Sequence, residues 1–177
     1  MEIDNNRWKS RQAIIEGREP MDAEIRSQWE KALKEHGDAV YRLALTRTGH
    51  KQDAEDVAQT TFLRYAEALE KGATFESREH VKAWLFRVAI NQSKNQFSSA
   101  WFRHRAPLTE ELTFTQESYR EIYFVVQSLP EKYRTVIHLY YYEGYSIKEI
   151  GGLLGKKENT VKSLLKRGRE QLREEVL

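Results

Sequence analysis

The sequence predicts an all-α protein made of two small helical domains joined by a flexible linker. Only three prolines and nine glycines punctuate the 177 residues, and apolar residues recur at the three-to-four spacing of helices. No stretch shows the alternation of a strand worth naming. Because 40% of the residues are apolar and 32% are charged, the chain has enough apolar side chains for a core and enough charge to remain soluble.

The first twenty residues are set aside from the fold. Residues 15–18 read Ile-Glu-Gly-Arg, the recognition sequence of a processing protease used with fusion proteins, and Met21 follows closely. We therefore interpret residues 1–20 as a vector-derived leader, with a native polar tail as the alternative. Residues 21–97 then form the first domain, residues 98–116 the linker, and residues 117–177 the second domain.

Composition excludes several classes of protein. The chain has no cysteine, so disulfides, thiolate metal sites and cysteine nucleophiles are ruled out. Its five histidines have no metal-ligand spacing, and we expect neither a metal site nor a cofactor. No apolar run approaches the roughly 18 residues of a membrane span, and no signal segment follows Met1 or Met21. We expect a cytoplasmic protein without membrane insertion.

Three helices are expected in the first domain. The first spans the region from Trp29 to Gly49, with an interruption at Gly37. The second has a continuous apolar stripe from Ala54 to Leu69 and stops at Gly72. We expect Asp53 to cap its start. The face left over by the stripe is polar and suits a partner, although acidic residues at helix starts are common for structural reasons alone; it carries Asp53, Asp56, Gln59 and Arg64.

The third helix, at about residues 79–97, has a cationic and amide-rich outer face. Arg87, Asn91, Lys94 and Asn95 lie on that face, and such side chains contact phosphates and base edges. Nearby Phe75 and Phe86 are candidates for stacking on unpaired bases, with a place in the core as the structural alternative.

In the second domain, Pro130 ends one helix at Leu129, and a following helix stops at Gly144. Ser146 and Glu149 then form a capping box that starts a helix running to Leu154. Gly155 marks a tight turn, and another helix begins at about Glu158. This arrangement is typical of a helix-turn-helix motif.

Basic charge is concentrated in the last of these helices. Residues 156–173 carry seven lysines and arginines against two glutamates, whereas residues 21–97 carry twelve of each sign. The helix face opposite the apolar stripe therefore suits the major groove, with a solvated surface helix as the alternative; it carries Asn159, Lys162, Ser163, Lys166 and Arg167.

Three ordered segments resemble bacterial sigma factors of the extracytoplasmic function (ECF) group. They are DAEDVAQTTFLRYAEAL, VKAWLFRVAINQSKNQF and LPEKYRTVIHLYYYEGYSIKEIGGLLGKKENTVKSLLKRGREQLR. The resemblance implies sigma regions 2 and 4, and a transcription initiation factor that binds core RNA polymerase, reads minus-ten and minus-thirty-five promoter elements and nucleates melting. It also implies docking on the clamp helices of the beta-prime subunit and regulation by an anti-sigma factor, with no catalysis by the chain itself.

The same resemblance assigns residues to three surfaces. The residues that it assigns to polymerase binding are Asp53, Asp56, Gln59, Phe62 and Leu63. The residues that it assigns to binding of the minus-ten element are Phe75, Ser77, Arg87, Asn91, Lys94 and Asn95. The residues that it assigns to binding of the minus-thirty-five element are Arg134, Asn159, Thr160, Lys162, Ser163, Lys166 and Arg167.

Two other functions fit parts of the pattern. A stand-alone helix-turn-helix regulator would bind a symmetric operator tightly without polymerase. A small metal-dependent nuclease would use the acidic turn formed by Asp53, Glu55 and Asp56, but that turn lacks further placed ligands.

Overall fold

The computed structural model describes residues 22–97 and 126–176, and every regular element in these two ranges is helical. No helix within them is long and apolar enough to cross a membrane. The linker assigned to residues 98–116 and the residues that follow it up to residue 125 lie outside the described ranges, as does the leader assigned to residues 1–20.

The first domain is a bundle of three helices: α1 (Ala23–Thr48), α2 (Lys51–Glu70) and α3 (Arg78–Phe97). Asp22 caps the start of helix α1, and its side chain accepts a 2.9 Å hydrogen bond from the amide of Glu24; Gly49, in the left-handed region, caps the end. The expected interruption at Gly37 was wrong. The helix continues through this buried glycine, because tertiary packing overrides its low helix propensity.

Fully buried apolar side chains from all three helices meet in the centre of this bundle, and they include Leu43, Val57, Phe62, Leu85 and Ile90. The Trp29 indole packs against Phe62 in this core. Its Nε1 atom donates a 2.9 Å hydrogen bond to the carbonyl oxygen of Phe62, which satisfies the buried polar atom of the ring. Packing of this kind fixes which faces of α2 and α3 point outwards.

The second domain contains α4 (Glu131–Ile137), which continues into one π-helical turn (His138–Tyr142), followed by α5 (Ile147–Leu154) and α6 (Glu158–Val176). Pro130 precedes α4, in agreement with the sequence analysis. Helix α6 crosses α4 very closely at Gly168. A β-carbon there would lie 3.3 Å from Ile137 Cγ1 and 3.3 Å from Tyr133 Cβ, so the absence of a side chain allows this contact.

The two domains pack directly on each other. The C-terminal half of α1 contacts α4 and the π-helical turn, and α3 contacts α5. Much of this boundary is polar, with Arg47 and Thr46 of the first domain facing Thr135 and His138 of the second. Docking of the domains was not part of the sequence prediction, which treated them as separate modules.

Candidate nucleic-acid interface

The helix-turn-helix has the local geometry that the sequence predicts. Ser146 Oγ accepts a hydrogen bond from the amide of Glu149, and the Glu149 carboxylate accepts one of 2.8 Å from the amide of Ser146. This capping box starts α5, and Gly155, with φ of 63°, ends it. The hydrogen bonds from the side chain and backbone of Ser146 lower the pKa of the Glu149 carboxyl.

Gly151 allows the turn to close. A β-carbon at this position would lie 2.7 Å from the carbonyl oxygen of Lys156, so a larger residue would force the turn to shift. The close approach is therefore to the backbone of the turn. An open depression of about 780 Å³ borders this turn, and its lining includes the three lysines Lys148, Lys156 and Lys157.

Helix α6 presents one continuous polar face. Val161, Leu165 and Gly168 are buried against the domain. Six of the seven residues predicted for the minus-thirty-five element are exposed on the remaining surface of this helix, and they are Asn159, Thr160, Lys162, Ser163, Lys166 and Arg167. Ser163 Oγ donates a 2.9 Å hydrogen bond to the carbonyl oxygen of Asn159, and Lys166 lies 3.9 Å from Glu170.

Arg134 is the exception in this group. Its guanidinium lies at the domain boundary, where it donates hydrogen bonds of 2.7 Å to the carbonyl oxygen of Arg47 and 3.2 Å to that of Gln127. The structure therefore does not bring Arg134 together with the exposed face of α6. Its position in sequence, early in α4, gave no sign that the first domain would accept its hydrogen bonds.

An aromatic cluster stands where the sequence predicts capture of an unpaired base. The Phe75 ring lies 5.3 Å from Tyr65, 5.7 Å from Trp84 and 5.4 Å from His80, measured between ring centroids. Phe75 is half-buried and His80 is exposed. Ser77 is also exposed, and its Oγ accepts a 3.1 Å hydrogen bond from the amide of His80 at the start of α3. One edge of the cluster thus faces solvent.

Along α3, the side chains of Arg87, Asn91 and Lys94 are exposed, as predicted. Asn95 belongs to the same helix, but its side chain lies outside the described part of the structure. The suggestion that Phe86 stacks on bases was wrong for this conformation. Phe86 is fully buried and packs 5.7 Å from Tyr145 of the second domain, so its ring is closed off on both sides.

The outer face of α2 differs from the prediction at two positions. Asp53 does not cap the helix, because α2 starts earlier, at Lys51, and the Asp53 side chain is buried in the first turn. Phe62 belongs to the core and contacts Trp29, so it is unavailable to a partner. The remaining predicted positions reach the surface: Asp56 is exposed, and Gln59 and Leu63 are partly exposed.

Sequence reasoning missed a set of buried polar residues. Arg47 and His138 are buried, and the Glu143 side chain is only 4% exposed. Burial lowers the pKa of the Arg47 guanidinium, and the neighbouring Glu131 carboxylate opposes that effect. One signal was present, because Arg47 falls on the apolar stripe of α1, where a charge needs a buried partner. No group of three or more candidate metal ligands occurs within residues 22–97 and 126–176.

Two family models match the chain. The model described as Sigma-70 region 2 matches residues 32–103, and the model described as Sigma-70 region 4 matches residues 119–172. Each match covers most of one of the two helical domains seen in the structure. The chain thus combines two regions of a transcription initiation factor.

Individual relatives agree with the family models. The ECF RNA polymerase sigma factor SigW of Bacillus subtilis is 30% identical over 159 residues, which cover 78% of this chain and 83% of that protein. SigL of Mycobacterium tuberculosis is 33% identical over 141 residues, covering 74% and 78%. SigE of Mycolicibacterium smegmatis is 32% identical over 161 residues, and the match covers 82% of this chain and 60% of that protein.

Solved structures show the same fold. A chain described as the sigma factor RpoE in complex with the anti-sigma factor NepR from Bartonella quintana superposes with a TM-score of 0.69 and 21% identity, covering 83% of this chain and 95% of that one. CnrH in complex with the cytosolic domain of CnrY gives a TM-score of 0.61 and 23% identity, covering 85% and 88%.

Fold and exposed faces define an all-α, two-domain DNA-binding transcription factor. The chain belongs to the ECF RNA polymerase sigma factors. It is accordingly a promoter-directing subunit of RNA polymerase and not an enzyme, and the stand-alone regulator is not favoured.

Proposed function

We propose that the exposed face of α6 reads the minus-thirty-five promoter element in the major groove. The observation that carries this proposal is the arrangement of exposed and buried residues on different sides of the helix. Six polar residues from Asn159 to Arg167 are exposed, while Val161, Leu165 and Gly168 are buried. Lysine and arginine in such a face reach guanine acceptors and phosphates, and asparagine and serine add further hydrogen bonds.

The first domain supplies the second DNA contact. Arg87, Asn91 and Lys94 form a polar surface along α3, and the solvent-facing edge of the Phe75 cluster provides aromatic rings for an unstacked base. Taking a base out of the duplex costs a few kcal/mol, which these contacts and those of the polymerase must offset. The minus-ten element is therefore assigned to this surface, and residues 21–97 and 117–177 are assigned as the two functional domains.

The polymerase contact is assigned to the outer face of α2. Its accessible members are Asp56, Gln59 and Leu63, and we assign them to the clamp helices of the beta-prime subunit. Because polymerase and promoter DNA are in the cytoplasm, the protein is placed there as well. This chain shares its fold with a sigma factor solved in complex with an anti-sigma factor, which supports an anti-sigma partner as a further proposal.

Transcription with purified core polymerase tests these assignments together. The full chain, added to core enzyme and a library of upstream sequences, should give run-off transcripts from templates that share two elements. Core enzyme alone is the control and should give none of these transcripts. Equal transcription from all templates would contradict promoter reading by this chain.

A matched pair of variants tests the polymerase surface. Asp56→Ala removes an exposed carboxylate of α2, and we expect about tenfold weaker binding of core polymerase in fluorescence anisotropy, equivalent to about 1.4 kcal/mol. Glu70→Ala removes another exposed carboxylate at the end of the same helix and should leave affinity unchanged. Equal affinities for both variants and the unmodified chain would remove Asp56 from the interface.

A further inference from the structure

The Phe75 cluster consists of rings from three parts of the first domain. Tyr65 belongs to α2, Trp84 and His80 belong to α3, and Phe75 lies between these two helices. The centroids of Tyr65 and Trp84 are 5.8 Å apart, and Phe75 contacts both rings. His80 meets the Phe75 ring edge to face, at an interplanar angle of 70°. Phe75 therefore contacts each of the other rings in the cluster.

Exposure to solvent differs among these rings. Tyr65 is buried, Phe75 and Trp84 are half-buried, and His80 is exposed. A base that approaches from solvent cannot stack on Tyr65 without displacing other side chains. The accessible aromatic surface of the cluster therefore belongs to Phe75, Trp84 and His80, and His80 is the most exposed of the three.

Two hydrogen bonds hold His80 beside Phe75. Its backbone amide donates a 3.1 Å hydrogen bond to Ser77 Oγ, and its Nδ1 atom accepts one of 3.4 Å from the amide of Glu76. Because Glu76 directly follows Phe75 in the chain, the second bond ties the imidazole to the backbone next to the ring that it contacts. An exposed side chain that is already held loses less conformational entropy on binding than a free one. The His80 ring is thus preorganised for contact with a ligand.

The bond from Glu76 also fixes which nitrogen of the imidazole carries the proton. An Nδ1 atom that accepts a hydrogen bond is unprotonated, so the neutral ring of His80 carries its proton on Nε2. Nε2 is then a donor on an exposed side chain. Oxygen and nitrogen acceptors at the edges of bases are suitable partners for such a donor. The ring therefore offers a face for stacking and a donor for the edge of a base.

The first turn of α3, which carries His80, is also tied to α1. Arg78 Nε lies 3.1 Å from a carboxylate oxygen of Glu35. Because the Arg78 side chain is 63% exposed, this ion pair contributes little to the free energy of unfolding. It nevertheless restricts the position of the turn. Contacts with α1 and with the segment before α3 thus both hold the site of His80.

We propose that His80 is a base-contacting residue that forms the solvent-side wall of the base-capture site, by which we mean the solvent-facing edge of the Phe75 cluster. This inference rests on the proposed function, which assigns the minus-ten element to this surface. The captured base stacks on the accessible rings, and His80 Nε2 donates a hydrogen bond to an acceptor at the edge of that base. The family resemblance did not include His80 among the minus-ten residues.

The contact predicts an effect that is specific to one base. Loss of an aromatic ring that stacks on a base weakens binding by roughly 5- to 150-fold. Two groups in direct contact are energetically coupled, so the effects of removing each of them do not add. Removing the captured base should therefore cost much less affinity once the His80 ring is absent.

Strand binding by the holoenzyme tests this coupling. The probe is a dye-labelled single strand that spans the minus-ten element of a template transcribed in the run-off experiment, with the base removed at one position at a time. For the unmodified chain, removal of the captured base should weaken binding about tenfold. His80→Ala should bind the intact strand about tenfold more weakly, and removal of the same base should then cost less than about threefold more.

Three further variants separate the ring from the fold. His80→Asn keeps an acceptor for the Glu76 amide but removes the ring, and it should behave as His80→Ala. His80→Phe restores an aromatic ring and should regain sensitivity to the missing base. Gln28→Ala, at an exposed neutral position of α1, should match the unmodified chain. Circular dichroism measures the helicity of each variant, and His80→Asn is the deciding variant if His80→Ala loses helicity.

The outcomes are distinct. Unmodified affinity in the variants that lack the ring, or an equal loss on intact and abasic strands, would overturn the contact. The same conclusion would follow if His80→Phe were as insensitive to the missing base as His80→Ala. If no position of the strand is sensitive in the unmodified holoenzyme, base capture by this surface is contradicted, and the proposed function fails there together with the inference. A sensitive position that does not depend on His80 would overturn the inference alone.

Discussion

The indole Nε1 of Trp29 donates a hydrogen bond to the carbonyl oxygen of Phe62, and the two rings meet edge to face with their centroids 6.4 Å apart. This pair joins α1 to α2 across 33 positions of sequence. It explains why Phe62 is a core residue, although the family resemblance places it among the polymerase-binding positions. The same packing leaves Asp56 on the outer side of α2.

Phe62→Ala should therefore lower the free energy of unfolding. Removing a fully buried aromatic ring costs about 3–5 kcal/mol of unfolding free energy, because transfer and cavity terms add. Urea unfolding followed by circular dichroism measures this loss. Leu63→Ala, at the partly exposed neighbouring position, should cost less than half as much. Similar losses for the two variants would contradict the assignment of Phe62 to the core.

Substitution by alanine should change the free energy of unfolding differently at two helical glycines. A β-carbon at Gly152 meets nothing within 4 Å, so Gly152→Ala should stabilise the second domain by about 0.5–1 kcal/mol through helix propensity. At Gly168 the new methyl group would press against Ile137 and Tyr133 at 3.3 Å, so this gain should be lost. Thermal unfolding of both variants measures the difference. A more stable Gly168→Ala than Gly152→Ala would refute the close crossing of α4 and α6.

Salt dependence tests the basic face of α6. Each lysine that neutralises a phosphate contributes about one unit to the slope of log affinity against log salt concentration. Lys162→Ala should reduce that slope for holoenzyme binding to promoter DNA by about one. Lys34→Ala, which removes an exposed lysine of α1, controls for the change in net charge and should leave the slope unaltered. An unchanged slope and affinity for Lys162→Ala would exclude Lys162 from the DNA contact.

Acid should weaken the contacts between the domains at Glu143, whose carboxylate lies 2.9 Å from Lys82 Nζ of α3. Burial by itself raises the pKa of the Glu143 carboxyl, but the His138 imidazole and the Lys82 ammonium prevail and lower it to about 2. Since the ordinary value is 4.5, the folded chain gains stability from the ionised carboxylate, and the contacts of Glu143 with Lys82 of α3 and Arg42 of α1 are the part of this gain that joins the two domains. This contribution is fully present above pH 4.5 and is lost as the pH falls towards 2.

Glu30→Cys and Glu174→Cys place two dyes on exposed helical sites of the two domains, because the chain has no other cysteine. Energy transfer between these dyes should fall as the pH drops through this window while the helical signal persists. Lys82 and Arg42 face this carboxylate from the first domain, and His138 faces it from the second. Glu143→Gln is the control and should show no decline in this range. A decline of the same size in that variant would assign the transition to another group.

Much of the local structure was readable from sequence because it depends on short-range chemistry. Ser146 and Glu149 lie three residues apart, Gly155 follows the last apolar residue of α5, and the apolar spacing of α6 fixes its outer face. The same logic failed at Gly37. Helix propensity alone suggested a break there, but tertiary packing keeps α1 continuous through this residue.

The boundary between the domains depended on contacts far apart in sequence. Arg47 and Thr135 are separated by 88 positions, and Thr46 and His138 by 92. No periodicity within one helix reveals such a pair, since each side chain is compatible with exposure when its own domain is considered alone.

By itself the sequence determined the helices of both domains, the basic face of α6 and membership of a family, because spacing, capping and motifs are encoded within single segments. Only the tertiary structure decided that Asp53 is buried, that Phe86 lies in the core and not on a base-stacking surface, and that Arg134 bonds to the other domain. Burial and buried charge pairing depend on which surfaces meet, and that follows from the packing of whole helices.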